Sequence, residues 1–280
     1  MFNRLRPMAT LGLLAATSTG ALADSGTSNS GTAKLDDTAW LQIAAYRPQV
    51  RTSVRLDSGG QRGTDLRAEE DLGLRDHPSM PAFLVGLRLA ERWRAEFEYF
   101  DLRRSRRELA FPGDGIEFGG GTFNAAVAAR VDIRTFRLSG GYSLLRTPTS
   151  EAGLVLGVHL TKFAMSMEGD AIVNGVATPF FLEKRKRDAP APTLGAYAAH
   201  DFASGWLVDG RVDLLKFNAR GYRGHLVNAQ ANIQYRVTRH VGLGVGWRLD
   251  DMQLDGNGSS FKGRLDYRFN GPQVFLRFGL

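Results

Sequence analysis

The last third of the chain alternates closely between apolar and polar side chains, and this period of two constrains the fold most. Val241–Asp250 places its apolar residues on one side and glycine, arginine and aspartate on the other, and Leu226–Val237 repeats the pattern. A period of two puts successive side chains on opposite faces of a β-strand. Because the polar face mixes charges with glycines while the apolar face carries aromatics, the pattern predicts a barrel with lipid outside and a wet interior.

The N-terminus has the three parts of a secretory signal peptide. Arg4 and Arg6 form the positive start, Met8–Ala21 is mostly apolar, and Ala21-Leu22-Ala23 is a small-x-small cleavage site. The apolar stretch is shorter than the roughly 20 residues of a membrane-spanning helix. The predicted organisation is a signal peptide (1–23), a flexible periplasmic lead-in (24–38) and an outer-membrane β-barrel (39–280).

Composition narrows the compartment and the partners. The 280 residues include no cysteine, so the chain has neither a disulfide framework nor a lipid-bearing cysteine. The formal net charge of +7 falls to +5 when Arg4 and Arg6 leave with the signal peptide. A basic balance can indicate nucleic acid. Here most basic residues alternate with acidic ones along strands, so we expect no nucleic-acid partner.

Alternating segments joined by short turns at one end and long loops at the other predict about ten strands. The predicted strands are Ala39–Leu56, Pro81–Ala90, Trp93–Leu109, a fourth ending in Phe136–Tyr142, Ala152–Met167, Pro192–His200, Trp206–Asn218, Leu226–Val237, Val241–Asp250 and Phe261–Leu280. The long loops are Asp57–Met80, Phe111–Thr122 and Glu168–Ala191. Even strand numbers with short periplasmic turns are typical of bacterial barrels. The predicted fold class is all-β, a transmembrane antiparallel up-and-down barrel, with eight or twelve strands as alternatives.

The final strand changes phase in its middle. Arg264–Phe269 alternates three charges with a leucine and two aromatics, and we predict that the charges face the interior. Val274–Phe278 continues the apolar pattern one position out of step. We interpret Asn270-Gly271-Pro272 as a β-bulge that restores the phase.

With these strands assigned, the chain resembles bacterial outer-membrane β-barrel proteins of the small porin-like superfamily. The resemblance spans the mature chain and rests on the signal peptide, on GTDLRAEEDLGL (Gly63–Leu74) and on YRFNGPQVFLRFGL (Tyr267–Leu280). It implies location in the outer membrane of a Gram-negative bacterium and insertion by the barrel-insertion machinery. Members usually end in an aromatic residue that this machinery reads, whereas this chain ends in Leu280 with Phe278 two residues earlier on the same face.

Charged side chains on the predicted inner face are the most informative set. They must be paired or hydrated, because unpaired burial of a charge is costly. The predicted lumen charge network is Arg94, Glu96, Glu98, Asp209, Arg211, Asp213, Arg236, Arg248, Asp250, Arg264, Asp266 and Arg268. Within it we expect Arg248, Arg264 and Arg268 to pair with Asp209, Asp213, Asp250 and Asp266. A narrow barrel filled in this way is predicted to be plugged, with a selective pore as the alternative.

No pattern predicts a catalytic, cofactor or metal site. His159 and Thr161 share the inner face without a carboxylate placed to orient the imidazole, so we expect only hydrogen bonding in the lumen. His225 lacks a serine on its face, and His200 falls at a periplasmic turn. In a predicted outer loop, four consecutive cations could contact lipopolysaccharide phosphates or could simply be solvated. They are Lys184, Arg185, Lys186 and Arg187.

Three functions are compatible with this sequence. The first is a structural or surface-interaction barrel with a self-plugged lumen, the second is a narrow channel for small solutes, and the third is a lipid-modifying enzyme. The third lacks a recognisable site, so we expect a protein that is not an enzyme. Its expected partners are outer-membrane lipid, lipopolysaccharide and the barrel-insertion machinery, and we expect a monomer.

Overall fold

The computed structural model describes residues 35, 37–57, 62–109, 116–118, 121–173, 176–185, 189–202, 205–219, 221–257 and 262–280. The predicted signal peptide and most of the predicted lead-in lie outside these residues. No helix in the described part of the chain is long and apolar enough to cross a membrane.

The described residues form one antiparallel sheet. Its strands are β1 (Ala39–Tyr46), β2 (Gln49–Leu56), β3 (Leu66–Arg67), β4 (Met80–Ala90), β5 (Trp93–Leu109), β6 (Ile116–Phe118), β7 (Gly121–Arg146), β8 (Ser150–Val173), β9 (Val176–Arg185), β10 (Ala189–Asp201), β11 (Trp206–Ala219), β12 (Tyr222–Arg236), β13 (Val241–Asn257) and β14 (Lys262–Gly279).

Pairing of the first strand with the last closes this sheet into a barrel. The strands that form the barrel, which we call its walls, follow the order β1, β4, β5, β7, β8, β10, β11, β12, β13 and β14. The last of them, β14, pairs back with β1. The predicted first strand corresponds to β1 and β2, which pair with two successive parts of β14. Arg47-Pro48 separates them. Proline supplies no backbone N–H for the ladder, so a break there is expected. The prediction of a ten-strand antiparallel barrel is confirmed.

One predicted loop is wrong. Most of Glu168–Ala191 is strand, because β8 continues to Val173 and pairs with β9. The sequence between these two strands is Asn174-Gly175, a pair that strongly favours a tight hairpin. This hairpin lengthens one side of the barrel at its outer end.

The lower part of the barrel has an apolar outer surface, which we call the lipid belt. It includes Leu41, Ile43, Phe83, Val85, Leu87, Phe97, Leu138, Leu154, Leu156, Val158, Leu194, Val212, Leu214, Ile233, Leu243, Val245, Val274 and Leu276, all exposed. Aromatic pairs lie near its periplasmic edge: the ring centroids are 4.9 Å apart in Trp93 and Tyr142 and 5.0 Å apart in Trp206 and Tyr235, with the rings tilted in both pairs. An apolar band with aromatic girdles is the surface that a bilayer requires.

Above the lipid belt the two faces exchange roles, and this corrects the prediction for the last strand. The pairing of β13 with β14 runs without a register shift from Val241 to Asn257, so there is no bulge at Asn270–Pro272. Leu265, Tyr267 and Phe269 face the interior and are buried. Outside the bilayer the surrounding medium is water, so apolar side chains turn inward as they do in a soluble protein.

These inward residues form an outer core that fills the upper barrel. The segment before β4, predicted as a plain outer loop, folds into this core with four buried residues: Leu66, Ala68, Leu72 and Leu74. They pack with wall residues such as Val54, Phe100 and Phe269. Glu69 fixes the segment by pairing with Arg104 and by accepting the backbone N–H of Thr52 at 2.7 Å.

Candidate functional site

Below the outer core, eight charged side chains form a continuous chain of ion pairs, the lumen cluster. Its members alternate in sign and run in the order Arg94, Glu96, Arg211, Asp213, Arg137, Glu98, Arg248 and Asp250. The successive N···O distances from Arg94 to Glu98 are 2.8, 2.6, 2.7, 2.9 and 2.8 Å. Arg248 then pairs with Glu98, and its Nε lies 2.8 Å from Asp250. Four guanidinium groups thus face four carboxylates.

The strand period builds three of these seven contacts. Arg94 and Glu96 are two residues apart on β5, so they share one face. Arg211 with Asp213 on β11, and Arg248 with Asp250 on β13, repeat the spacing. A local sequence pattern therefore pre-arranges each acid beside a base before the barrel closes.

Of the other four contacts, Arg137–Glu98 joins the neighbouring strands β7 and β5, and three join strands that are not neighbours in the sheet. Glu96 on β5 binds Arg211 on β11, Arg137 on β7 binds Asp213 on β11, and Glu98 on β5 binds Arg248 on β13. These ion pairs cross the lumen. Each charge is almost fully buried, so the attraction is needed to offset a desolvation cost of several kcal/mol per ion.

Aromatic rings tie the lumen cluster to the outer core above it. The guanidinium carbon of Arg248 lies 4.6 Å from the centre of the Phe100 ring and 5.8 Å from that of Tyr46. The Tyr46 hydroxyl donates to the backbone oxygen of Arg248 at 3.1 Å. The two tiers therefore pack directly on one another.

Nine of the twelve residues predicted for the lumen face the interior. Seven belong to the lumen cluster. Asp209 accepts a hydrogen bond from Asn232 at 2.7 Å, and Arg236 pairs with Asp201 at 2.7 Å near the periplasmic end. The contact of Asp209 differs from the arginine partner that we expected for it.

Arg264, Asp266 and Arg268 lie on the outer surface, so their predicted inward position is wrong. Their part of β14 rises above the lipid belt, where polar side chains face water. Arg264 binds Asp255 at 2.6 Å, and Arg268 lies 3.8 Å from Asp251. Burial raises the pKa of the Asp255 carboxyl, but hydrogen bonds from Arg264 and Gln253 outweigh this and bring the pKa below its ordinary value.

Arg137 is central to the lumen cluster, and the sequence analysis missed it. It is 1% exposed and contacts Asp213, Glu98 and the side-chain oxygen of Asn228 at 3.1 Å. The signal was present: Phe136 and Leu138 are assigned to the outer face, so Arg137 between them must face inward. No charged neighbour two residues away drew attention to it.

The candidate histidines do not form a catalytic arrangement. His159 is buried in the lumen, and neither ring nitrogen has a hydrogen-bond partner among the described residues, contrary to the predicted hydrogen bonding. Thr161 instead bonds the Tyr267 hydroxyl at 3.1 Å. His225 lies on the outer surface 3.7 Å from Asp251, and His200 bonds Ser150 at 2.8 Å. Within the described residues no cluster of three or more His, Asp or Glu could hold a metal ion.

The four predicted lipopolysaccharide contacts lie at the edge of the described structure. Lys184 and Arg185 end β9, where only the backbone is described. Lys186 and Arg187 lie outside the described residues.

Comparison with known proteins supports the fold. No protein-family model matches the sequence, and no curated protein is significantly similar to it. The outer-membrane protease OmpT from Escherichia coli has a similar structure, with a TM-score of 0.55 at 13% identity, covering 88% of this chain and 97% of OmpT. Neisserial surface protein A has a TM-score of 0.30 at 11% identity, covering 87% and 97%, and AlkL 0.34 at 12%, covering 94% and 98%. The OmpT comparison shows that the chain has the fold of a bacterial outer-membrane β-barrel protein. The lipid belt places the barrel in that membrane.

Proposed function

We propose that this protein is a closed outer-membrane barrel that acts through its outer surface rather than by conducting solutes. The observation that carries the proposal is the set of ion pairs that join non-neighbouring walls across the lumen. A solute that passes would have to separate Glu98 from Arg248 or Arg137 from Asp213. Breaking one buried pair costs about 3–5 kcal/mol, so thermal opening of several at once is rare.

The outer core closes the barrel a second time. Its buried leucines and aromatics lie above the lumen cluster, and the segment held by Glu69 and Arg104 packs into it. An apolar outer core also gives ions no hydration. The lumen cluster and the outer core therefore obstruct the barrel one above the other. Both favour a structural or surface-interaction role over a narrow channel.

Lipopolysaccharide is the partner that we propose for the outer surface just above the lipid belt. Arg103 and Arg134 share the carboxylate of Asp101, at 2.7 and 3.6 Å, and Arg103 is exposed while Arg134 is half-buried. Lys162 pairs with Arg134 in the strand register, and its amine lies 5.8 Å from the Phe136 ring. Three arginines face two carboxylates there, since Asp132 pairs with Arg130 at 3.0 Å, and such an excess of positive charge at headgroup level suits lipid phosphates. Thermal stabilisation by lipopolysaccharide that survives Arg103→Ala with Arg134→Ala would reject this contact.

We further propose that the protein is a monomer, that the barrel-insertion machinery assembles it, and that it is not an enzyme. Ser150 contacts His200 at 2.8 Å, but this pair lies at an exposed periplasmic turn, and no described contact joins the imidazole to the carboxylate that would orient it as a base. Hydrolysis of labelled phospholipid by the refolded protein would overturn the last of these proposals, and a larger species in sedimentation would overturn the monomer.

Swelling of proteoliposomes in a small neutral sugar tests the closed lumen. Vesicles containing the refolded protein should swell no faster than protein-free vesicles, whereas vesicles with an open porin swell rapidly. Swelling that grows with the amount of refolded protein and slows with sugar size would establish the channel instead.

A further inference from the structure

The periplasmic end of the barrel holds a polar cavity of about 60 Å³. Its lining includes Trp40, Arg88, Arg94, Gln234 and Arg277, together with Asp37 from the segment that precedes β1. At roughly 15 Å³ per water-sized occupant, this volume fits about four waters or one small acid group. The lumen cluster borders its upper side through Glu96 and Arg211.

Hydrogen-bond donors outnumber acceptors among the unpartnered buried atoms of this cavity. Arg277 Nε, Arg88 Nε and Trp40 Nε1 have no hydrogen-bond partner in the described part of the chain, against one acceptor, Gln234 Oε1. Each buried group left in that state costs free energy. An occupant rich in acceptors would satisfy the donors.

Trp40 holds its place by close packing against the wall and between two cations. Gly86 leaves room for the indole, since a Cβ there would lie 1.9 Å from Trp40 Cε2. The guanidinium carbons of Arg277 and Arg94 lie 5.1 and 5.7 Å from the indole ring centre. The indole N–H and the Arg277 guanidinium therefore border the same small space.

The chain supplies its own carboxylate to this space. Asp37 lies 3.5 Å from Arg277 Nη2, beyond the 2.7–2.9 Å of a close charge-assisted hydrogen bond. Leu35 of the same segment is buried below the cavity, and its backbone oxygen accepts from Arg88 at 3.0 Å. The described residues of this segment, Leu35 and Asp37, lie outside the strands of the barrel.

We propose that the cavity is a periplasm-facing binding site for a small oxyanion, a carboxylate or a phosphate group, and that Asp37 is its built-in competitor. Arg277 and the Trp40 N–H bind the oxyanion oxygens, and departure of the Asp37 side chain makes them available. The inference goes beyond the proposed closed barrel, because a site that opens only to the periplasm is compatible with a silent lumen.

Calorimetric titration of the refolded mature protein with acetate, inorganic phosphate and sodium chloride of equal ionic strength tests this site. Asp37→Asn keeps the shape and removes the competing charge, so it should bind acetate or phosphate about tenfold more tightly than the wild type. Binding of acetate alone would identify a carboxylate ligand, and binding of phosphate alone a phosphate ligand. Titrations of Asp37→Asn that match chloride for both anions would show that the cavity holds only water and would overturn the proposal.

Two further variants locate the binding. Arg277→Gln should abolish it, and Arg268→Gln, on the same strand but facing outward, should leave it unchanged. If Arg277→Gln does not fold, Trp40→Phe removes the indole N–H with little loss of packing and should weaken binding several-fold. Two results would place the anion elsewhere and contradict the assignment. The first is a loss of anion binding in Arg268→Gln as large as in Arg277→Gln, and the second is anion binding at the wild-type level in both single variants, Trp40→Phe and Arg277→Gln.

Discussion

Replacing Arg137 with alanine should destabilise the barrel far more than replacing an exposed arginine. Arg137 is 1% exposed and neutralises Glu98 and Asp213 at 2.8 and 2.9 Å. Its loss leaves four buried carboxylates facing three guanidinium groups, and breaking a buried pair in this way costs about 3–5 kcal/mol. Arg264, which pairs with Asp255 on the outer surface, is the control, since exposed pairs contribute about 0–1 kcal/mol. The difference of about 3 kcal/mol corresponds to more than a hundredfold in the folding equilibrium.

Reversible urea unfolding of the protein in lipid vesicles, followed by tryptophan fluorescence, measures both variants. A double-mutant cycle with Asp213→Ala isolates the pair: removing both partners should cost less than the sum of the single changes. Equal destabilisation by Arg137→Ala and Arg264→Ala, or strictly additive effects with Asp213→Ala, would refute the description of the lumen cluster as a buried ion-pair chain.

Two further predictions concern the lipid belt and the outer core. Leu243→Arg places a charge at the bilayer-facing surface and should lower the free energy of unfolding in vesicles by about 2–4 kcal/mol. The control, Val237→Arg at the periplasmic turn, should lower it by about 0–1 kcal/mol. Similar folding yields for the two variants would show that the lipid belt is misplaced. Leu72→Ala should cost about 2–5 kcal/mol because the side chain is fully buried, whereas Leu144→Ala on the outer surface should cost much less. Unchanged thermal stability of Leu72→Ala, together with unaltered protease resistance of its segment, would argue against a packed outer core.

The barrel, its wall number and the faces of most strands could be predicted because alternation is a local property. Val245 and Arg248 are assigned to opposite faces from their own strand alone, and the structure agrees. The error in β14 has a physical source. The rule that apolar side chains face outward holds only at bilayer depth, and Tyr267 lies above that depth, where the rule of soluble proteins applies. Sequence alternation gives the two faces but not the height along the barrel axis.

The partners within the lumen were beyond the reach of the sequence. Strand parity predicts that Glu98 and Arg248 face the interior, but their contact joins residues 150 positions apart in walls that are not neighbours. The burial of Leu72 in the outer core is equally non-local, since the string around it has the turn-rich, acidic composition of an exposed loop. Both features depend on how the closed barrel brings distant walls together.

Single-channel recording of the purified, refolded protein in planar bilayers tests the closed lumen most directly. The wild type should be nearly silent at all applied voltages, because ion pairs cross the lumen and the outer core covers them. Arg137→Ala, if it still folds, should show added conductance, since it removes a crossing contact. A wild type with steady, ion-selective conductance, unchanged by Arg137→Ala, would contradict the closed barrel and establish a pore.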